Sequence, residues 1–313
     1  MKWNYNDYMQ WKNNECPVNT NVTELNISGQ NITTLEPIGN LIALQILDCH
    51  NNELTTLEGI SNLIALQTLD CYNNQLTTLD SISNLVALQT LICSRNKLIT
   101  LEGICNLVAL QTLNCNSNKL TTLTPINNLV ALQTLYCSRN KLTTLTPISN
   151  LVALQTLNCS NNQLITLEPI SNLVALQILV CSNNHILTLT PISKLVALQR
   201  LYCSYNKLTT LEPISNLVNL QIINYSNNQI EYILPNIVRQ LNNMGNASDI
   251  VSSFSIIMQQ IDSWLFRFGR IINGNVAHNS SIPTGANAVA TYNVLRNQYA
   301  DDVGGDGIKN KCI

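Results

Sequence analysis

Leu154–Ala175 reads LQTLNCSNNQLITLEPISNLVA, and the 22 residues on either side say nearly the same thing. With Leu44 taken as position 1 of its unit, this period runs for ten units between Val22 and Leu241 without an insertion. A fixed period this long means stacked supersecondary units, each too small to fold alone and each burying its apolar edge against its neighbours. The chain of 313 residues therefore predicts one elongated array over 22–241, rather than the two or three globular domains its length would otherwise suggest. Residues 1–21 precede the array as an N-terminal cap, and 242–271 and 272–313 follow it.

Within a unit, apolar residues fall at positions 1, 4, 6, 11, 14, 17 and 20. Positions 4 and 6 have the spacing of two inward residues on a strand, so Leu47 and Cys49, Leu69 and Cys71, and their equivalents face the core. Position 9 is Asn in nine units: Asn52, Asn74, Asn96, Asn118, Asn140, Asn162, Asn184, Asn206 and Asn228. There the chain turns out of the strand and exposes backbone groups to a dry core, where a short carboxamide can hydrogen-bond them at every level. Pro37, Pro125, Pro147, Pro169, Pro191 and Pro213 stand at position 16. A proline there removes a donor and fixes one dihedral, which suits a tight turn or one 3₁₀ turn on the outer side.

The pattern L-x-x-L-x-L-x-x-N-x-L, with Cys in place of the third Leu, resembles the leucine-rich repeat family throughout the array. The 22-residue length and the T-L-x-P-I-S-N-L segment look most like its internalin-type and phosphatase-regulatory subclasses. The near-identity of the units, the Cys column and the Asn- and Ile-rich composition look like leucine-rich repeat proteins of amoeba-infecting giant viruses. The resemblance implies an α/β-type repeat solenoid with parallel strands on the concave face and short turns or 3₁₀ segments on the convex face, to which the spacing beyond the array adds a C-terminal helical segment. It implies a protein-binding scaffold without enzymatic activity, or a regulatory subunit of an enzyme such as a phosphatase.

Cys49, Cys71, Cys93, Cys115, Cys137, Cys159, Cys181 and Cys203 share position 6 and form a column at the strand spacing of about 4.8 Å. Stacked equivalent residues point the same way, whereas a disulfide needs its two Cβ atoms turned toward each other. A straight column cannot converge on one zinc ion, and nothing cationic recurs beside it to lower a thiol pKa. Small buried hydrophobes remain as the reading.

A net charge of −2 with 11% charged residues leaves no basic field for nucleic acid or anionic lipid. No stretch reaches the roughly 18 apolar residues of a membrane span, and residues 1–17 hold no apolar run of signal-peptide length. Eleven cysteines then predict free thiols in a reducing, cytoplasmic setting (host cytoplasm if the chain is viral), where the Asn-x-Ser/Thr sites stay unmodified. Catalytic constellations are missing where one would look: the three histidines are scattered, and there is no Walker-type loop, G-x-S-x-G or C-x-x-C. An unrecognised enzyme in 242–313 is disfavoured by the lack of clustered nucleophile, acid and base. No cofactor or metal is expected, and a monomer is.

Outward positions on the strand face are 3, 5, 7 and 8, most of them Thr, Asn or Ser. The departures are Ile92 with Arg95, Tyr136 with Arg139, Val180, and Arg200 with Tyr202 and Tyr205. Tyr and Arg anchor protein interfaces more often than other types, and a ring beside a guanidinium within one unit would form such an anchor. Drift on a duplicated scaffold is the competing reading. Beyond the array, Ile250, Phe254, Ile257, Ile261, Trp264 and Phe268 recur at helical spacing, predicting an amphipathic helix from about Ser248 to Phe268. The Gly- and Asn-rich remainder predicts a polar tail.

Overall fold

The computed structural model describes residues 1–230 and 233–244. Ten three-residue strands form one parallel sheet in sequential order: β1 (Glu24–Asn26), β2 (Ile46–Asp48), β3 (Thr68–Asp70), β4 (Thr90–Ile92), β5 (Thr112–Asn114), β6 (Thr134–Tyr136), β7 (Thr156–Asn158), β8 (Ile178–Val180), β9 (Arg200–Tyr202) and β10 (Ile222–Asn224). Each residue pairs with its equivalent one period on, as Leu47 with Leu69 and Leu69 with Leu91. The array is thus the α/β-type solenoid that the repeat predicts.

Each interior coil closes because its seven apolar positions meet inside it: Leu44, Leu47, Cys49, Leu54, Leu57, Ile60 and Leu63 are all buried, and so are their counterparts in units 3–9. One buried Leu removes apolar surface worth about 1.5–3 kcal/mol from water, and an interior coil stacks on two neighbours. The outer arc is a single 3₁₀ turn in most units, such as Thr124–Ile126 and Thr146–Ile148, with proline in its first turn. Unit 2 lacks one; there Gly59 takes φ +95°, and a Cβ on it would lie 2.4 Å from the Glu36 backbone.

Coils are stitched at position 9. The Nδ2 of Asn118 donates to the carbonyls of Cys93 and Cys115, both at 3.1 Å, while its Oδ1 accepts the Leu98 amide at 3.0 Å. The same three bonds recur at Asn96, Asn140, Asn162, Asn184 and Asn206. Each Asn therefore satisfies two coils at once, and among the described residues no buried side-chain nitrogen or oxygen lacks a partner. Unit 1 has Gln30 instead; its amide and that of Ile32 both turn to Asn52.

The eight position-6 cysteines are free and fully buried. Burial pushes the thiols of Cys115, Cys159 and Cys203 up to about 12, and raises the others as well. Ile27 and Tyr225 end the column in units 1 and 10.

Helix α1 (Tyr5–Asn13) lies against the first coil, opened by a capping box between Asn4 and Asp7. Tyr8 is buried and gives its hydroxyl hydrogen to Thr34 O at 2.7 Å, and Trp11 Nε1 donates to Pro37 O at 2.7 Å. Trp3 packs against Trp11 with the rings tilted by 45° and their centres 5.5 Å apart, and the chain start pairs with the β1 edge through Lys2 and Asn26. At the far end α2 (Pro235–Asn243) buries Ile237, Val238 and Leu241, with Gln240 Nε2 on the carbonyls of Ile214 and Leu217. This helix occupies residues that the period assigns to the last unit, so helical closure begins before residue 242. The helix expected over Ser248–Phe268 and the tail 272–313 lie outside the described residues. Among the described residues no helix is long and apolar enough to cross a membrane.

Two outcomes are expected. Asn118→Ala will lower unfolding free energy by about 1–3 kcal/mol, because it strands the Leu98 amide in the core and takes one of two asparagine donors from each of the Cys93 and Cys115 carbonyls. Asn118→Asp will cost at least as much, since the acid cannot donate; urea midpoints that stay at the wild-type value for either would refute the bridging role. The thiols give a pH test. Their folded pKa values lie above the unfolded value near 8.5, so their stabilising contribution is complete below that pH and is lost as pH rises towards about 12. Each thiol contributes a slope of about 1.4 kcal/mol per pH unit in that window. Unfolding titrations from pH 8 upwards should fall steeply, and less so in Cys137→Val.

Candidate functional site on the exposed face of the sheet

Positions 3 and 5 of each strand point away from the core, and positions 7 and 8 follow at the strand end. Asn158 and Thr156 illustrate the half-buried outer pair around buried Leu157. Position 8 carries a backbone constraint that the spacing does not reveal. Its residue has positive φ in every unit: Gly29, Asn51, Asn73, Arg95, Ser117, Arg139, Asn161, Asn183, Tyr205 and Asn227, at φ between 52° and 66°. The left-handed turn lets the position-8 amide donate to the next coil, as Arg139 N to Ser160 O at 3.0 Å, while the adjacent Asn swings inward. Gly or Asn adopts this conformation at small cost. Arg95, Ser117, Arg139 and Tyr205 adopt it with a steric penalty of order 1 kcal/mol each. Three of these four are among the residues singled out by their departure from the repeat.

The singled-out residues form three groups along the sheet. Ile92 on β4 lies beside Asp70 of β3 and Asn114 of β5. Arg95 reaches back one coil, its guanidinium carbon 5.5 Å from the Tyr72 ring centre. That contact joins neighbouring units, Tyr72 in the third and Arg95 in the fourth. Tyr136 and exposed Arg139 form a second group, separated from the first by Asn114, Asn116 and Ser117 of unit 5. Val180 of β8 pairs with Tyr202 of β9, and exposed Arg200 and Tyr205 flank that pair.

A further cluster lies in units 2 and 3, apart from the residues singled out above. Asp48 and Asp70 are direct cross-strand partners at position 5, and His50 and Tyr72 follow at position 7. His50 Nδ1 is 2.5 Å from Asp48 Oδ1, Asn26 Nδ2 donates to Asp48 Oδ2 at 2.7 Å, and the Tyr72 amide donates to Asp70 Oδ1 at 2.9 Å. Burial, and then the Asp48 charge, lift the Asp70 carboxyl above the usual carboxylate range. Ligand-type atoms of Asp48, His50 and Asp70 lie within 4.8 Å of one another, a spacing a divalent cation could bridge. The available signal was compositional: position 5 is Asp only in these two units. Polarity, rings and guanidinium groups make this face suited to recognition, with no nucleophile, acid and base converging on a bond to be broken.

The model for leucine-rich repeats in two copies matches residues 20–62, 64–106, 108–150 and 152–194, more than half of the chain. No curated protein sequence matches significantly. An internalin, InlF, from Listeria monocytogenes superposes with a TM-score of 0.69 at 28% identity, over 71% of this chain and 65% of its own. The chain thus spans just under two thirds of that structure. Internalin C2 of the same organism gives 0.57 at 29% identity, covering 66% of this chain and 81% of its own. The leucine-rich repeat ectodomain of an Arabidopsis thaliana membrane receptor kinase, solved in complex with Casparian strip integrity factor 2, gives 0.59 at 28% identity over 68% of this chain and 28% of its own. The stacked register, the buried Leu and Asn columns and the family match place this chain in the leucine-rich repeat family.

Proposed function

We propose that the chain is a non-enzymatic scaffold that binds a protein through the concave face of its sheet, with Ile92, Arg95, Tyr136, Arg139, Val180, Arg200, Tyr202 and Tyr205 as the contact residues. The observation that carries this reading is the strain at position 8. Arg95, Arg139 and Tyr205 stand where six other units carry Asn or Gly, in a left-handed conformation that disfavours them. A costly side chain kept at an exposed turn, beside Tyr136 and Tyr202 on the same face, fits a surface shaped for contact. The Arabidopsis receptor ectodomain is solved with a bound partner, which supports a binding role for this architecture. Free buried thiols favour a reducing, cytoplasmic setting. With the resemblance to giant-virus repeat proteins, that makes a host protein the partner.

Two measurements test this. Arg139→Asn will raise unfolding free energy by about 1 kcal/mol through relief of the left-handed strain, while weakening partner binding. A variant in which Tyr136, Arg139, Tyr202 and Tyr205 all become Asn reproduces residues that other units already carry there, so its fold is retained. Affinity capture from amoebal cytoplasm should lose its specific partner by at least about tenfold in this variant, given the usual weight of Tyr and Arg anchors. Undiminished capture by a correctly melting variant would sink the concave-face reading.

A further inference from the structure

Charge on the exposed sheet face is sorted along the solenoid axis. At positions 3, 5, 7 and 8 the acidic residues are Glu24, Asp48 and Asp70, all in units 1–3, and the arginines are Arg95, Arg139 and Arg200, all in units 4–9. Position 10, the exposed turn bordering the strand ends, repeats the division. Glu53 stands there in unit 2, whereas units 4, 5, 6 and 9 carry Lys97, Lys119, Lys141 and Lys207. Drift on a duplicated scaffold would mix the signs, yet at these five positions no Lys or Arg occurs in units 1–3 and no acid in units 4–10.

The acidic end is also unfavourable as it stands. Asp48 and Asp70 face each other across β2 and β3, and like charges so placed destabilise a sheet. The His50 ring and backbone amide and the Asn26 side-chain amide moderate Asp48, while half-buried Asp70 has the Tyr72 backbone amide and, among the described residues, no cation. An external cation would relieve the pair.

We infer, building on the protein-binding reading above, that the concave face takes an extended protein segment lying across the strands, with a Lys or Arg side chain on the Asp48/Asp70 pair and carboxylates over Arg139 and Arg200. Strand spacing sets the pattern of that segment. Asp70 and Arg139 are three strands apart, about 14 Å, which is about four residues of extended chain. Asp70 and Arg200 are six strands apart, about 29 Å, or about nine residues. The opposed ends fix the direction in which the segment lies, the usual contribution of charge complementarity. A nucleic acid, anionic throughout, would be repelled at the Asp48/Asp70 end. A metal ion would engage only the corner formed by Asp48, His50 and Asp70.

The test uses the full chain and labelled probes followed by fluorescence anisotropy. One peptide carries two lysines at one end and glutamates about four and nine residues further on, and a second has the same composition with the charges alternating. A third probe is an oligothymidylate of similar length. The segregated peptide should bind about fivefold or more tightly than the alternating one at low salt, with the gap closing as salt rises. The paired variant Asp48→Asn with Asp70→Asn should abolish the preference; Asn already stands at position 5 in units 1, 5, 7 and 10, so the fold tolerates it. Equal affinity for the two peptides, a preference that survives the Asn pair, binding of neither peptide, or tighter binding of the oligothymidylate would each overturn the inference. The uncharged change Tyr202→Asn with Tyr205→Asn separates the two levels. If both peptides bind equally and both weaken in that variant, charge sorting fails while the binding face stands; if peptide binding is indifferent to it, the face itself is wrong.

Discussion

Everything in this molecule depends on one side chain that serves two coils. A chain that turns every 22 residues must bring carbonyls and amides into a core that holds no water, and each such group left unpaired costs about 1–3 kcal/mol. The position-9 asparagine removes that cost by donating to the carbonyls of its own and the preceding coil and accepting an amide one coil back. Its bonds run along the solenoid axis, so they also set the rise between coils. Shorter Ser could not span the gap, and Asp lacks the donor. The leucines could pack in several ways; the amide bridge admits one register.

That bridge has a consequence for the outer surface. For the carboxamide to turn inward, the residue before it must adopt a left-handed conformation while still feeding its amide to the next coil. Core and recognition surface are therefore coupled at adjacent residues. Asn or Gly at position 8 satisfies the core at least cost, and Arg95, Arg139 and Tyr205 depart from that choice where they face solvent. The ends show the complementary problem. A stack of coils has two open faces, and α1 and α2 cover them with Tyr8 and Trp11 at one end and Ile237, Val238 and Leu241 at the other.

Much of the fold was legible before any coordinates, because periodicity is a one-dimensional signal and a solenoid is a one-dimensional structure. Leu47 and Cys49 read as inward from their spacing, and both are buried. The cysteine column read as free small hydrophobes, and its thiols are free and raised by burial. The candidate site was legible only in part. Tyr136 and Arg139 differ from the consensus in size as well as in type, whereas Asp48 and Asp70 replace Asn by a residue of its own size. Their significance comes from cross-strand adjacency, a relation between residues one period apart. Helix α2 falls inside the tenth unit where the period has already failed: positions 17 and 20 hold Asn236 and Arg239, and Ile237, Val238 and Leu241 stand instead at positions 18, 19 and 22, spaced for one helix face.

By itself the sequence determined the stacked architecture, the inward columns and the turn asparagines, since each follows from a fixed period and from the need to bury apolar groups and satisfy polar ones. Tertiary structure alone decided that position 8 is left-handed in every coil, that Arg95 sits over a tyrosine of the preceding unit, and that two aspartates meet across β2 and β3. Those facts depend on the angle and rise with which one coil sits on the next, and a repeat records its own length but not that geometry.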